Sequence, residues 1–242
     1  MDITTVSEAA TSQSRLPIPS ERLPQKLSVG ARPHGLAPGE LVKLHHSLAE
    51  AIGGEGGVVV QFIAPESGSG TEDVVYDLAY ISAAWLGKRV LFVNGTGLRL
   101  DENDQFRSDR RDPQLGNGFD FADADQGITR VVGMDLFQMN LPTMRGSMEM
   151  MPTLSRIPEF LGKLRAAFDL VVIASPAAAE APLGMLLSRF VDGNILVLES
   201  GRTRAPVAAE LRNSLSASGG MVVGAVLTRY QTFAPRWLQR WL

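Results

Sequence analysis

Residues 57–79, GVVVQFIAPESGSGTEDVVYDLA, carry the clearest chemical pattern in the chain. An apolar run leads into a Gly/Ser-rich turn, and apolar residues at helical spacing follow it. A strand, a glycine turn and a helix in that order can bind phosphate. Glycines let backbone N–H groups close around the oxygens, and the helix N-terminus adds positive potential. Such a loop also needs a Lys for the terminal phosphates and a Ser or Thr hydroxyl for magnesium. Here Gly68, Ser69 and Gly70 are followed by Thr71, Glu72 and Asp73. The Lys is absent, and two carboxylates stand where the anion would dock. In the first turn of a helix each is stabilised by about 0.3–1 kcal/mol, so the chain supplies its own anion at a site built for phosphate. Thr71 is the expected N-cap. The pattern reads either as the scaffold of a nucleotide-binding protein whose charges argue against the nucleotide, or as a simple βα turn of a doubly wound fold.

Other reactive groupings are weak. The His residues are His34, His45 and His46; none has metal-ligand spacing, and the adjacent pair is expected on solvated helix surface. Asp101, Glu102, Asp104, Asp120, Asp123 and Asp125 lack the spacing of a calcium loop and read as solvated acids. Met144, Met148, Met150 and Met151 read as gap-filling core or interface. No nucleophile–His–carboxylate set or catalytic carboxylate pair stands out, so no catalytic residue and no metal site are assigned. Cysteine is absent, which excludes disulfides, thiolate metal sites and a thiol nucleophile.

The elements that must position the loop follow from periodicity. Residues 1–38 are rich in Ser, Thr, Pro and Gly and read as a mobile arm. The spacing predicts a helix over Pro38–Ile52, with Leu41, Leu44, Leu48 and Ile52 on one face. A buried strand over Val58–Ile63 comes next, then a helix over 72–86 and a strand over Arg89–Val93. Residues 95–128 are polar and Gly/Asp-rich and read as a long surface excursion. Two short strands near Thr129–Val132 and Leu136–Leu141 precede a helix near Thr153–Phe168. Strand Leu170–Ala174, helix Ala181–Phe190, strand Asn194–Glu199, helix Arg204–Ser216 and strand Met221–Leu227 complete a domain over 39–230. Alternating strands and helices with buried strands predict an α/β fold: a doubly wound, mostly parallel sheet with helices on both faces.

The chain has 242 residues, 45% of them hydrophobic and 20% charged, with a net charge of -3. That is an ordinary globular composition, and it gives no signature of nucleic-acid binding. No run of 18 or more apolar residues is present, and the N-terminus MDITTVSEAATSQSR has no apolar segment of a secretory signal. A cytoplasmic protein is expected.

Three stretches resemble a known family. GSGTEDVVYDLAYISAAWLGKRVLFVNGTGLR, FDLVVIASPAA and VDGNILVLESGRTRAPVAAELRNSLSASGGMVVGAVLTR are similar, in order and spacing, to the motifs of bacterial exopolysaccharide and capsule tyrosine kinases. Those belong to the wider MinD/ParA-like P-loop class. The resemblance spans about residues 40–230 and implies a P-loop NTPase-like fold and a role in polysaccharide polymerisation and export. It places the loop Lys at Thr71 and the magnesium hydroxyl at Glu72. The family's Asp-x-Asp after the second strand falls on Asn94 and Thr96, and the acid ending the third motif strand falls on Ala174. The tyrosine cluster is reduced to Tyr230, and the oligomerisation helix is weakened to Glu40, Lys43 and His46. The resemblance therefore implies a degenerate, non-catalytic member needing no cofactor. It would be a regulatory subunit docking on an inner-membrane chain-length regulator, or polysaccharide co-polymerase, with homo-oligomers possible. The alternatives are an active ATPase or protein tyrosine kinase using ATP and magnesium at an atypical site, and a MinD/ParA-like positioning protein.

Residues 231–242 form a separate C-terminal tail. From Pro235 on, Trp237, Leu238, Trp241 and Leu242 share one helical face, with Arg236 and Arg240 beside them. Two readings are open: a terminal helix docked on its own core, or an anchor for a partner at the membrane surface. The expectation leans to the anchor, because Pro235 separates the tail from the last strand and the Arg residues keep one side polar.

Overall fold

The computed structural model describes residues 36–53, 56–95, 128–131, 133–141 and 155–229, together with the backbone of 21–22, 99–100 and 106–107. The strands are β1 (Glu21–Arg22), β2 (Val58–Ile63), β3 (Val90–Asn94), β4 (Arg99–Leu100), β5 (Phe106–Arg107), β6 (Thr129–Val131), β7 (Leu136–Asn140), β8 (Leu170–Ala174), β9 (Gly193–Glu199) and β10 (Val222–Thr228). The helices are α1 (Pro38–Ile52), α2 (Thr71–Ala84), α3 (Ile157–Ala167), α4 (Leu183–Leu187) and α5 (Ala205–Ala217). Eight strands form one sheet in the order β1-β6-β7-β3-β8-β2-β9-β10, and β4 pairs with β5 apart from it. Every pairing in the large sheet is parallel except β6 with β7. Glu21–Arg22, inside the arm expected over 1–38, adds to the β6 edge.

The sheet is covered on both faces. Val60 and Phe62 of β2 pack with α1 and α2, whereas Val59 packs with α3 and α4 and Ile63 with α5. This explains the unbroken apolar runs of β2, β3 and β8, since a parallel strand with helices above and below has no solvent face. Helix α2 shows the same logic. Eleven of its 14 residues are buried, because the sheet lies on one side and Leu41 and Leu48 of α1 join the core over it.

Some boundaries differ from expectation. Helix α3 starts only at Ile157, with Pro158 in the first turn, where a missing N–H costs nothing. Helix α4 is five residues, Leu183–Leu187. A Cβ built on Gly184 would meet Ile63 Cδ1 at 2.5 Å, so this short helix lies almost against β2. Gln61 Nε2 donates to the Gly184 carbonyl at 2.7 Å and to Asn194 Oδ1 at 3.2 Å. These buried amides fix β2, α4 and β9 in one register. At the opposite end of the sheet from the loop, Asp192 accepts from Val59 N at 2.7 Å and pairs with Arg165 at 2.9 Å. His45 is not free on solvated surface: its Nδ1 and the buried Ser82 hydroxyl are hydrogen-bonded at 2.9 Å between α1 and α2.

Candidate functional site

Ligand crevices of doubly wound sheets open at the carboxyl ends of strands whose following helices lie on opposite faces. Here those strands are β2, followed by α2, and its neighbour β8, followed by α4. The glycine loop sits at that switch point. Past the strands, Ser175 N donates to the Phe62 carbonyl at 3.0 Å, Ala178 N to Ala64 at 2.9 Å and Ala179 N to Pro65 at 3.2 Å. The segment after β8 thus continues alongside the root of the loop and fastens it.

Within the loop, Gly68 has φ 81 and Gly70 has φ 76, a left-handed conformation that disfavours any residue with a Cβ. Gly70 is the N-cap of α2, with Val74 N bonded to its carbonyl at 3.2 Å. Thr71, expected as the cap, is instead the first helical residue and is 5% exposed. A backbone cap in the left-handed region displaces the side-chain cap. Glu72 and Asp73 occupy the first turn, and Asp73 is buried.

Asn94 and Ala174 stand side by side, in register, on β3 and β8. Asn94 is buried, and Ala174 is packed in the α1–α2 core cluster. Thr96 lies outside the described residues, as do Arg236, Trp237, Leu238, Arg240, Trp241 and Leu242. The fold therefore gathers Gly68, Ser69, Gly70, Thr71, Glu72, Asp73, Asn94 and Ala174 at the carboxyl ends of the central strands β2, β3 and β8. At the position the motif resemblance assigns to the loop Lys stands the buried neutral hydroxyl of Thr71, two carboxylates lie in the first turn of the helix, and the Ala174 methyl sits in apolar packing.

The structure adds residues from β9 and β10. The Thr228 hydroxyl donates to the Ser69 carbonyl at 2.8 Å, and the Ser69 hydroxyl donates to the Glu66 carbonyl at 3.0 Å. Glu199, only 5% exposed, accepts from Arg202 Nη1 at 3.1 Å and from Arg229 Nη1 at 2.7 Å. Its own N–H donates to the Thr203 hydroxyl at 3.0 Å. Arg202 also lies over the loop: a Cβ on Gly68 would sit 3.3 Å from its Nη1. A cation is therefore present at the glycine turn, delivered by the segment after β9, and its charge is already committed to Glu199. The signal in the sequence was a charged residue closing an apolar strand, ILVLE, with Arg in the turn behind it. Among the described residues no three His, Cys, Asp or Glu side chains group as metal ligands would, and no helix is long and apolar enough to cross a membrane.

No protein-family model and no curated protein matches the chain. Solved structures do. The chimerical protein CapA2B2 is 16% identical, with a TM-score of 0.63 over 90% of this chain and 96% of that one. The kinase domain of the Escherichia coli tyrosine kinase ETK is 17% identical, with a TM-score of 0.62 over 82% and 79%. The septum site-determining protein MinD of Pyrococcus horikoshii, solved with Mg-ADP, is 16% identical, with a TM-score of 0.52 over 76% of each chain. These neighbours are of the kinds the sequence motifs pointed to, and at such identities they establish architecture. The chain has the α/β P-loop fold shared by bacterial tyrosine-kinase domains and MinD-type ATPases.

Proposed function

We propose that this chain is a non-catalytic, tyrosine-kinase-like subunit of an exopolysaccharide polymerisation and export machine. In this reading it works at the cytoplasmic face of the inner membrane, docked on a chain-length regulator, and cycles no nucleotide. The observation that carries the reading is the loop itself. Thr71 and Glu72 replace the Lys and hydroxyl that phosphate and magnesium need, and Asn94 and Ala174 stand together at positions the motif resemblance assigns to acids. The glycine turn and helix are retained, so the surface a partner would recognise can persist after the chemistry is gone. The resemblance of three ordered motifs to exopolysaccharide kinases supports the export setting.

Calorimetric titration of the full chain with Mg-ATP and Mg-ADP tests the first half. No binding is expected, and a micromolar Kd would overturn the proposal. Co-purification with the cytoplasmic segments of an inner-membrane chain-length regulator from the same organism tests the second half, and failure to co-purify would overturn it. Arg202 over Gly68 favours one other reading, an atypical anion or nucleotide site whose cation comes from behind β9. Loss of nucleotide binding in Arg202→Ala, after binding had been seen in the natural chain, would establish it.

A further inference from the structure

The edge strand β10 presents an apolar strip that the described residues leave uncovered. Val222–Thr228, VVGAVLT, has no charge and no Pro, the usual means by which an edge is protected from pairing. Leu227 is 50% exposed. Its in-register neighbour on β9 is Leu198, and that of Ala225 is Leu196; both β9 residues belong to the apolar cluster under α5. Leu227 and Ala225 therefore face the α5 side, beyond the part of the sheet that Leu211 and Leu215 of α5 cover.

We propose that this strip is the docking site of the chain's own C-terminal tail, with Trp237, Leu238, Trp241 and Leu242 laid over Ala225 and Leu227 beside α5. Connectivity selects this occupant. The chain leaves β10 at Arg229, whose φ of 51 ends the extended run and turns the backbone away from the strand direction. Residues 230–236 can span about 23–25 Å, and a seven-residue strand is about 23 Å long. Trp237 can therefore reach any point along β10. Two apolar surfaces on one chain, within that reach, meet at an effective concentration that a separate partner must match by affinity. Of the two readings open for the tail, the exposed edge favours the docked one over the distant anchor. This inference stands apart from the nucleotide-site reading.

The test uses the full chain in a Trp85→Phe background. Trp85 is 59% exposed, and removing it leaves Trp237 and Trp241 as the only indoles of the three in the chain. At low micromolar concentration their emission is expected to be blue-shifted and shielded from acrylamide. Leu227→Lys should move the emission to the red and raise quenching severalfold. Cutting after Ala234 should lower the melting temperature, and Leu227→Lys should lower it no further in the shortened chain. Freely quenched indoles in the unsubstituted background would overturn the proposal without relying on any variant at Leu227. Shielding that appears only as the chain dimerises would overturn it in favour of a second copy. Shielding that appears only with anionic phosphatidylglycerol vesicles would overturn it in favour of the membrane.

Discussion

The hydroxyl of Thr228 donates a 2.8 Å hydrogen bond to the carbonyl of Ser69, 159 residues earlier in the chain. Thr228 closes the last strand and is fully buried, so the bond pins the glycine loop to the far side of the sheet. Thr228→Val keeps the shape and removes the donor. The expected loss is about 1 kcal/mol in urea unfolding, the net value of a typical hydrogen bond. Thr228→Ser should recover most of it, and equal losses in both variants would show that packing, not the hydrogen bond, is responsible.

Glu199 holds Arg202 and Arg229 from a buried position. Glu199→Gln removes the charge that both guanidinium groups answer, and the fold should lose about 1.5–3 kcal/mol, the range for hydrogen bonds to charged groups. Because both Arg side chains are about half exposed, the lower part of that range is expected. The same variant releases Arg202 beside Gly68. Added inorganic phosphate should then raise the melting temperature of Glu199→Gln and leave that of the natural chain unmoved. A phosphate effect of equal size in both would show that the loop accepts anions with its cation still paired.

Glu72 lies in the first turn of α2, at the positive end of the helix. Glu72→Lys exchanges a favourable for an unfavourable charge there and should cost a few tenths to about 1 kcal/mol. Chemical denaturation at low ionic strength measures it, and added salt should shrink the difference. A neutral or stabilising result would remove the idea that the chain neutralises its own phosphate site.

His45 gives the fold a pH dependence. Burial, and then the charges of His46 and Lys88, hold its pKa below the ordinary 6.5. Folding therefore disfavours its protonated form. The stability it contributes is present above 6.5, the unfolded value, and is lost as pH falls through the lower folded value. His45→Gln can keep a hydrogen bond to Ser82 and cannot titrate. Between pH 7 and the onset of carboxylate protonation near about pH 5, the natural chain should lose stability more steeply than the variant. Parallel slopes would refute the assignment.

Much of the framework was legible in the sequence, because apolar periodicity is local. Val58–Ile63, Pro38–Ile52 and Leu170–Ala174 have the same bounds in the structure as in the pattern, since a buried parallel strand or a one-faced helix writes its environment into adjacent residues. The Gly/Ser turn without a Lys and the carboxylates that follow it were equally plain, because a phosphate-binding loop is a contiguous motif. The sequence could not show what surrounds that motif. Arg202 and Thr228 reach the loop, with Glu199 and Arg229 beside Arg202, only because β9 lies next to β2 and β10 next to β9 in the sheet, and strand order depends on contacts between distant segments. The cap of α2 was misplaced for a related reason. Gly70, in a left-handed conformation, ends the loop and leaves Thr71 inside the helix, a choice made by backbone geometry that residue preference does not record. Periodicity also could not tell that α2 is buried all round or that β10 leaves Leu227 bare. Burial is set by which element covers which, and only the folded arrangement decides that.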